Sequence, residues 1–145
     1  MAGKPRKKAA KKVKPSGPAP VAVLWGLDPS FGEVAGKKGD AIRQVLKSIN
    51  VRPRVAAIER LGDAVGAFAG LVGYRPAFTE YAGPAPDCEF VLLCNLSNAQ
   101  VEGFMAGCRE ADCVVGPKAV LTKHNKDWPL ARLIAAVNAE HAQMA

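Results

Sequence analysis

Within eleven positions, Lys118, Thr122, His124, Asn125 and Trp128 place a cation, a hydroxyl, an imidazole, a carboxamide and an aromatic face around the end of an apolar run. Those are the donors and the flat surface from which a small-ligand or partner site is built. Period-two alternation puts Lys118, Val120 and Thr122 on one side of a strand and Ala119 and Leu121 on the other. The same residue types also suit an ordinary turn: Thr122 and Asn125 to organise it, Asp127 to cap the helix that follows, Trp128 to seal the core. His124 has no acid at a spacing that would orient its ring, and His141 continues an apolar helix stripe. No Ser-His or Cys-His nucleophile pair emerges, and no catalytic residue is assigned.

A second chemistry is suggested by Gly36-Lys37-Lys38-Gly39, a basic G-x-x-G segment. It looks like the glycine loop of a KH domain, where such a turn clamps a nucleic-acid backbone. Pro29 and Gly32 leave little room for the helix that should precede it, so the competing reading is a flexible loop opening a helix whose free amides attract an anion weakly. Ser97-Asn98-Ala99-Gln100 reads as a capping box rather than as a nucleophile. Asp28-Pro29 suits a cap followed by proline at the first helical position. Cys88, Cys94, Cys108 and Cys113 form no C-x-x-C pair and have no histidine at zinc-ligand spacing. They are expected as reduced thiols in or near the core, with no metal and no cofactor.

Charge separates the chain into two parts. Of the 20 Lys and Arg residues, Lys4, Arg6, Lys7, Lys8, Lys11, Lys12 and Lys14 fall within the first twenty positions with no acid among them, leaving 13 to balance the 13 Asp and Glu. The net charge of +7 therefore belongs to a tail. Residues 1–20 carry too little apolar surface to offset the entropy of ordering, so a disordered Lys-rich tail is expected before a single α+β domain at 21–145. Any contact with nucleic acid through this tail is expected to be non-specific. No apolar segment follows the charges as in a secretory signal, and no run is long enough to span a membrane, so the cytoplasm is the expected setting.

The elements that must position these groups follow from periodicity. VAVLWGL, VRPRVAAIE, EFVLLCN and GPKAVLT read as strands, the second pushed to a sheet edge by Pro53. Helical faces are formed by Ile42, Val45, Leu46 and Ile49, by Leu61, Val65, Phe68 and Val72, by Val101, Phe104, Met105 and Cys108, and by Leu130, Leu133, Ile134 and Val137. The order is β-α-β-α twice, and Trp25-Gly26-Leu27-Asp28 echoes Cys94-Asn95-Leu96-Ser97. The simplest fold is a ferredoxin-like α+β sandwich with its helices on one face; a small mixed open α/β sheet is the alternative. Gly62, Gly66 and Gly70, four apart, would open a groove on a helix for close packing on the sheet, a homodimer contact or a ligand.

The strand before Asn95, Gln100, Lys118-Ala119-Val120-Leu121-Thr122, Asn125, Trp128 and Glu140-His141 together resemble the bacterial domain of unknown function 3783. Gly66, Ala69-Gly70-Leu71 and Gly73-Tyr74 look like its earlier glycine-rich segment, extending the resemblance over about residues 21–143. Lys123 stands where the family pattern often has proline. The resemblance implies no reaction, ligand or catalytic residue. A non-enzymatic binding or regulatory module with an unidentified ligand or protein partner is the leading expectation. The alternatives are a nucleic-acid-associated protein using the tail with Lys37 and Lys38, and an enzyme of unassigned reaction.

Overall fold

The computed structural model describes residues 18–144. Lys4, Arg6, Lys7, Lys8, Lys11, Lys12 and Lys14 lie outside the described residues. The elements are β1 (Val21–Trp25), α1 (Glu33–Ser48), β2 (Arg52–Val55), α2 (Val65–Ala69), β3 (Phe90–Cys94), α3 (Asn98–Glu110), β4 (Lys118–Val120) and α4 (Leu130–Met144). One sheet runs β2-β1-β3-β4. Its outer pairs are parallel and its central pair, β1 with β3, is antiparallel.

Every residue of β1 and β3 is buried, so these apolar runs need cover on both faces. Val21, Val23, Trp25, Phe90 and Leu92 pack with Phe68 of α2 and with Leu130 and Ile134 of α4. Ala22, Leu24, Val91 and Leu93 pack with Ile42 and Leu46 of α1 and Phe104 of α3 on the other side. The α+β class and the two β-α-β-α halves hold, and the arrangement is the small mixed open sheet. The ferredoxin-like form with helices on one face would leave half of two fully apolar strands in water. Pro53 does sit on an edge strand. Arg52 donates to Pro20, just before β1, and Ala56 to Leu24 of β1, which turns the backbone of residue 53, with no N–H to offer, outward.

The two halves are related by an approximate two-fold axis. The central register pairs Val23 with Leu92, flanked by Val21 with Cys94 and Trp25 with Phe90. Gly26 and Asn95, the next residues after the two strands, both adopt left-handed backbone at φ 74° and 66°. Asp28 then caps a 3₁₀ turn, Pro29–Phe31, and Ser97 caps α3, whose capping box with Gln100 is complete. Helices α1 and α3 end alike: Val51 N–H bonds Leu46 O at 3.0 Å and Cys113 N–H bonds Cys108 O at 2.8 Å, after left-handed Asn50 and Asp112. Even the far loops exchange bonds reciprocally. Val65 N–H reaches Trp128 O and Leu130 N–H reaches Asp63 O, while Gly66 N–H reaches Lys126 O and Ala131 N–H reaches Leu61 O.

Two expected features are corrected. Gly36-Lys37-Lys38-Gly39 is not a loop but part of the first turns of α1. Its glycines serve packing, Gly36 against Pro29 and Gly39 against the Leu27 carbonyl, and the lysines pair with Glu33 at 3.6 Å and Glu89 at 2.7 Å. The helix expected over residues 61–73 is confined to α2, because Gly70 takes left-handed backbone and stops it, leaving Val72 97% exposed. Gly62 and Gly66 face the chain's own Thr79 carbonyl and Tyr74 ring; only Gly70 of that trio has open space beside it.

Gly39→Ala ought to gain about 1 kcal/mol from helix propensity. Here the added methyl would overlap the Leu27 carbonyl oxygen, so a net loss of about 2 kcal/mol is expected in urea denaturation. A more stable variant would show that α1 can move off the β1 turn.

Candidate functional site

At the carboxyl ends of β1 and β2 the chain opens into a cleft of about 580 Å³. Its walls come from Trp25 at the end of β1, Phe31 in the 3₁₀ turn, Val55 to Ile58 leaving β2, and Ala85 to Asp87 from a long loop. Phe31 stands edge-on to Trp25 with centroids 5.2 Å apart. The Trp25 indole N–H donates to Pro86 O at 3.0 Å, so its polar end is satisfied while its ring stays with the apolar wall. Phe31, Val55 and Ile58 remain 40%, 42% and 58% exposed, a concentration of apolar surface at one place. The polar groups at the rim are Asp28, Ser30 and Asp87. Asp28 accepts from Ser30 N–H at 2.9 Å and from the Ser30 hydroxyl.

The wall formed by Ala85 to Asp87 belongs to the connection between α2 and β3, residues 70–89, which has no regular structure of its own. A loop of that length must be fastened. The fastening is Asp63, 2% exposed. Its carboxylate accepts from Arg60 Nε at 2.8 Å and from the backbone amides of Ala77, Phe78 and Thr79 at 3.1, 3.2 and 2.8 Å. Phe78 adopts φ 55°, which turns three successive amides toward one carboxylate. Burial pushes the Asp63 pKa upward, but Arg60 and the three amides together outweigh it and hold the pKa at about 2. The Arg60 guanidinium carbon lies 4.2 Å from the centroid of the Phe68 ring and 5.7 Å from that of Phe78, and its buried Nη2 has no hydrogen-bond partner among the described residues. Gly62 N–H adds a bond to Thr79 O at 2.8 Å.

Comparison with known families locates the second half of this scaffold. Residues 89–144 match the model of the Domain of unknown function (DUF3783). No curated protein and no solved structure matches the chain. The DUF3783 segment begins beside β3 and ends with α4, one complete β-α-β-α half. The glycine-rich stretch around Gly66 to Tyr74 lies outside it, in the half that carries most of the cleft.

All five residues expected to form a site fall in the DUF3783 segment, at two separate places. Lys118 opens β4 and donates to Val115 O at 2.6 Å. Thr122, His124, Asn125 and Trp128 follow the other end of that strand. Thr122 N–H bonds Asn125 Oδ1 at 2.9 Å, the Thr122 hydroxyl accepts from His124 and Asn125 N–H, and Asn125 Nδ2 reaches Val120 O at 3.1 Å. Trp128 packs against the core with the Arg132 guanidinium 3.9 Å over its ring. The polar groups thus organise the turn that carries Trp128 into the bridge with Val65. The His124 side chain is exposed, and His141 rests on Gly116 with no room for a Cβ there.

The thiols are all free; Cys94, Cys108 and Cys113 are buried and Cys88 is half-buried. Burial pushes Cys94 and Cys108 up to about 12, which keeps both protonated. Cys108 and Cys113 occupy the helix-end positions filled by Leu46 and Val51 in the other half, where an apolar contact closes the turn. Among the described residues no group of three or more His, Cys, Asp or Glu side chains gathers as a metal site, and no helix is long and apolar enough to cross a membrane.

The sequence reading missed Asp63 and the cleft. The available signal for Asp63 was an acid set between Leu61 and Val65 in an apolar stretch. Because its folded pKa lies below the ordinary aspartate value of 3.8, its contribution is full above about pH 5 and is lost as pH falls through 3.8 toward 2. That contribution amounts to about 2 kcal/mol. Asp63→Asn is expected to lower stability at pH 7 by about 3 kcal/mol and to flatten the pH dependence between 5 and 2. Chemical denaturation across that range checks both; an unchanged slope in the variant would assign the acid sensitivity to other carboxylates.

Proposed function

We propose that this protein is a non-enzymatic binding module whose ligand seats in the cleft at the carboxyl ends of β1 and β2. The observation that carries the reading is the gathering of Trp25, Phe31, Val55 and Ile58 around one concavity with Asp28 and Asp87 at its rim. Apolar walls supply affinity, and a few polar groups fix orientation. Neither rim carboxylate has a basic partner among the described residues. The ligand class that fits is therefore an apolar or aromatic body bearing a cationic or hydrogen-bond-donating head. Parallel strands joined by a helical crossover place such a crevice at their carboxyl ends, which agrees with its position here. The reading takes the cytoplasm as the setting, where the free thiols stay reduced.

A second reading, non-specific contact with nucleic acid, is favoured by the seven cations without an acid in the first twenty residues. Lys37 and Lys38 support it less, since each is paired with a glutamate.

Amide chemical-shift mapping with phenethylamine and with benzoate as its opposite-charge counterpart tests the leading reading. Phenethylamine should shift the Trp25 indole N–H and the amides of Phe31, Ala57 and Ile58 saturably, and benzoate should do so more weakly. Ile58→Lys, at an exposed position where stability should change by no more than about 0.5 kcal/mol, should abolish the shifts. Shifts centred elsewhere, or equal for both probes, would overturn it.

A further inference from the structure

A second concavity, of about 380 Å³, lies at the amino ends of the same strands. Residues facing it include Asn50, Arg52, Arg54 and Gly70, and among the described residues no acidic side chain lines it. Arg52 and Arg54 pair in register with Val21 and Val23, so both side chains leave the sheet on the face covered by α2 and α4. Both are exposed, and neither is in an ion pair among the described residues.

The two-fold relation explains why the face is open here. Arg54 pairs with Val23 as Ala119 pairs with Leu92, so Arg54 and Ala119 are equivalent positions. Ala119 packs on the core under α4, which continues to Met144. Its counterpart α2 stops at Ala69, where Gly70 turns the chain away. One half therefore covers an alanine with helix, and the other leaves a pair of arginines beside an open trough. The carbonyls along its walls do not offset the positive charge. Ala19 O and Ala69 O both accept from Asn95 Nδ2, at 3.3 and 3.1 Å, and Pro20 O accepts from Arg52 N–H at 3.4 Å.

The geometry points to a binding site for a phosphate-bearing ligand in this trough, with Arg52 and Arg54 as the anion-recognising groups. Guanidinium forks match phosphate oxygens in a way that a point charge does not. The volume has room for a phosphate ester rather than for the bare ion alone. The site is separate from the cleft beside Trp25 and does not depend on its ligand.

The test uses the full chain and three probes, inorganic phosphate, ribose 5-phosphate and a ten-residue oligothymidylate, with chloride at matched ionic strength as the control. Arg52 and Arg54 Nε–H signals and the Gly70 amide report on the trough. Saturable shifts there with phosphate and ribose 5-phosphate, weakened at least about tenfold by Arg52→Ala with Arg54→Ala, support the site. Tighter binding of ribose 5-phosphate per phosphate group identifies a small phosphorylated molecule as the source; tighter binding of the oligonucleotide with the same footprint identifies a nucleic-acid backbone. Both substitutions are at exposed positions, and an unchanged amide spectrum elsewhere confirms the fold. Shifts that chloride reproduces, that fall outside the trough, or that persist in the double variant would overturn the proposal.

Discussion

A buried carboxylate that cannot be left bare connects the two parts of this molecule. The Asp63 backbone carbonyl accepts Leu130 N–H in the reciprocal bridge between the halves, and its side chain collects Arg60 and three amides of the long loop. Isolated, a charge at that depth would cost several kcal/mol. Four donors make its ionised form the stable one and in return give residues 77–79 a fixed address. The symmetric scaffold is tied through this residue to the irregular segment that walls the cleft.

The functional candidates stand where the two halves stop matching. Strand register, strand-end turns, helix ends and loop bridges all obey the two-fold relation. The departures are the 3₁₀ turn before α1, the early stop of α2 and the loop of residues 70–89. The first and third of these line the cleft beside Trp25, and the second uncovers Arg52 and Arg54. Symmetry supplies a rigid frame whose core draws on both halves, and its exceptions supply surface that a ligand can reach.

What could be read from the chain was local. Consecutive apolar residues marked β1 and β3, Pro53 marked an edge, Ser97 with Gln100 marked a cap, and the echo of Trp25–Asp28 in Cys94–Ser97 marked the repeat. What could not be read depended on partners distant in sequence. Gly36 and Gly39 looked like a loop because the carbonyl that excludes a Cβ belongs to Leu27, and the helix before Val72 looked longer because Gly70 gives no sign of its left-handed turn. Alternation places Lys118 and Thr122 on one strand face, but β4 ends at Val120 and Thr122 belongs to the turn beyond it, and backbone groups within a few residues occupy the polar atoms of both. Asp63 carried no motif, since three of its four donors are main-chain amides that any sequence could supply.

Hydrogen exchange at single-amide resolution, comparing the native chain with Asp63→Asn at pH 7, tests the link between carboxylate, loop and cleft most directly. The account predicts that Ala77, Phe78 and Thr79 lose protection, that Ala85 and Asp87 at the cleft wall follow, and that the amides of β1 and β3 remain the slowest in the molecule. Unchanged protection at residues 77–79 in the variant, or a uniform loss through β1 and β3 with no selective opening of the loop, would contradict it.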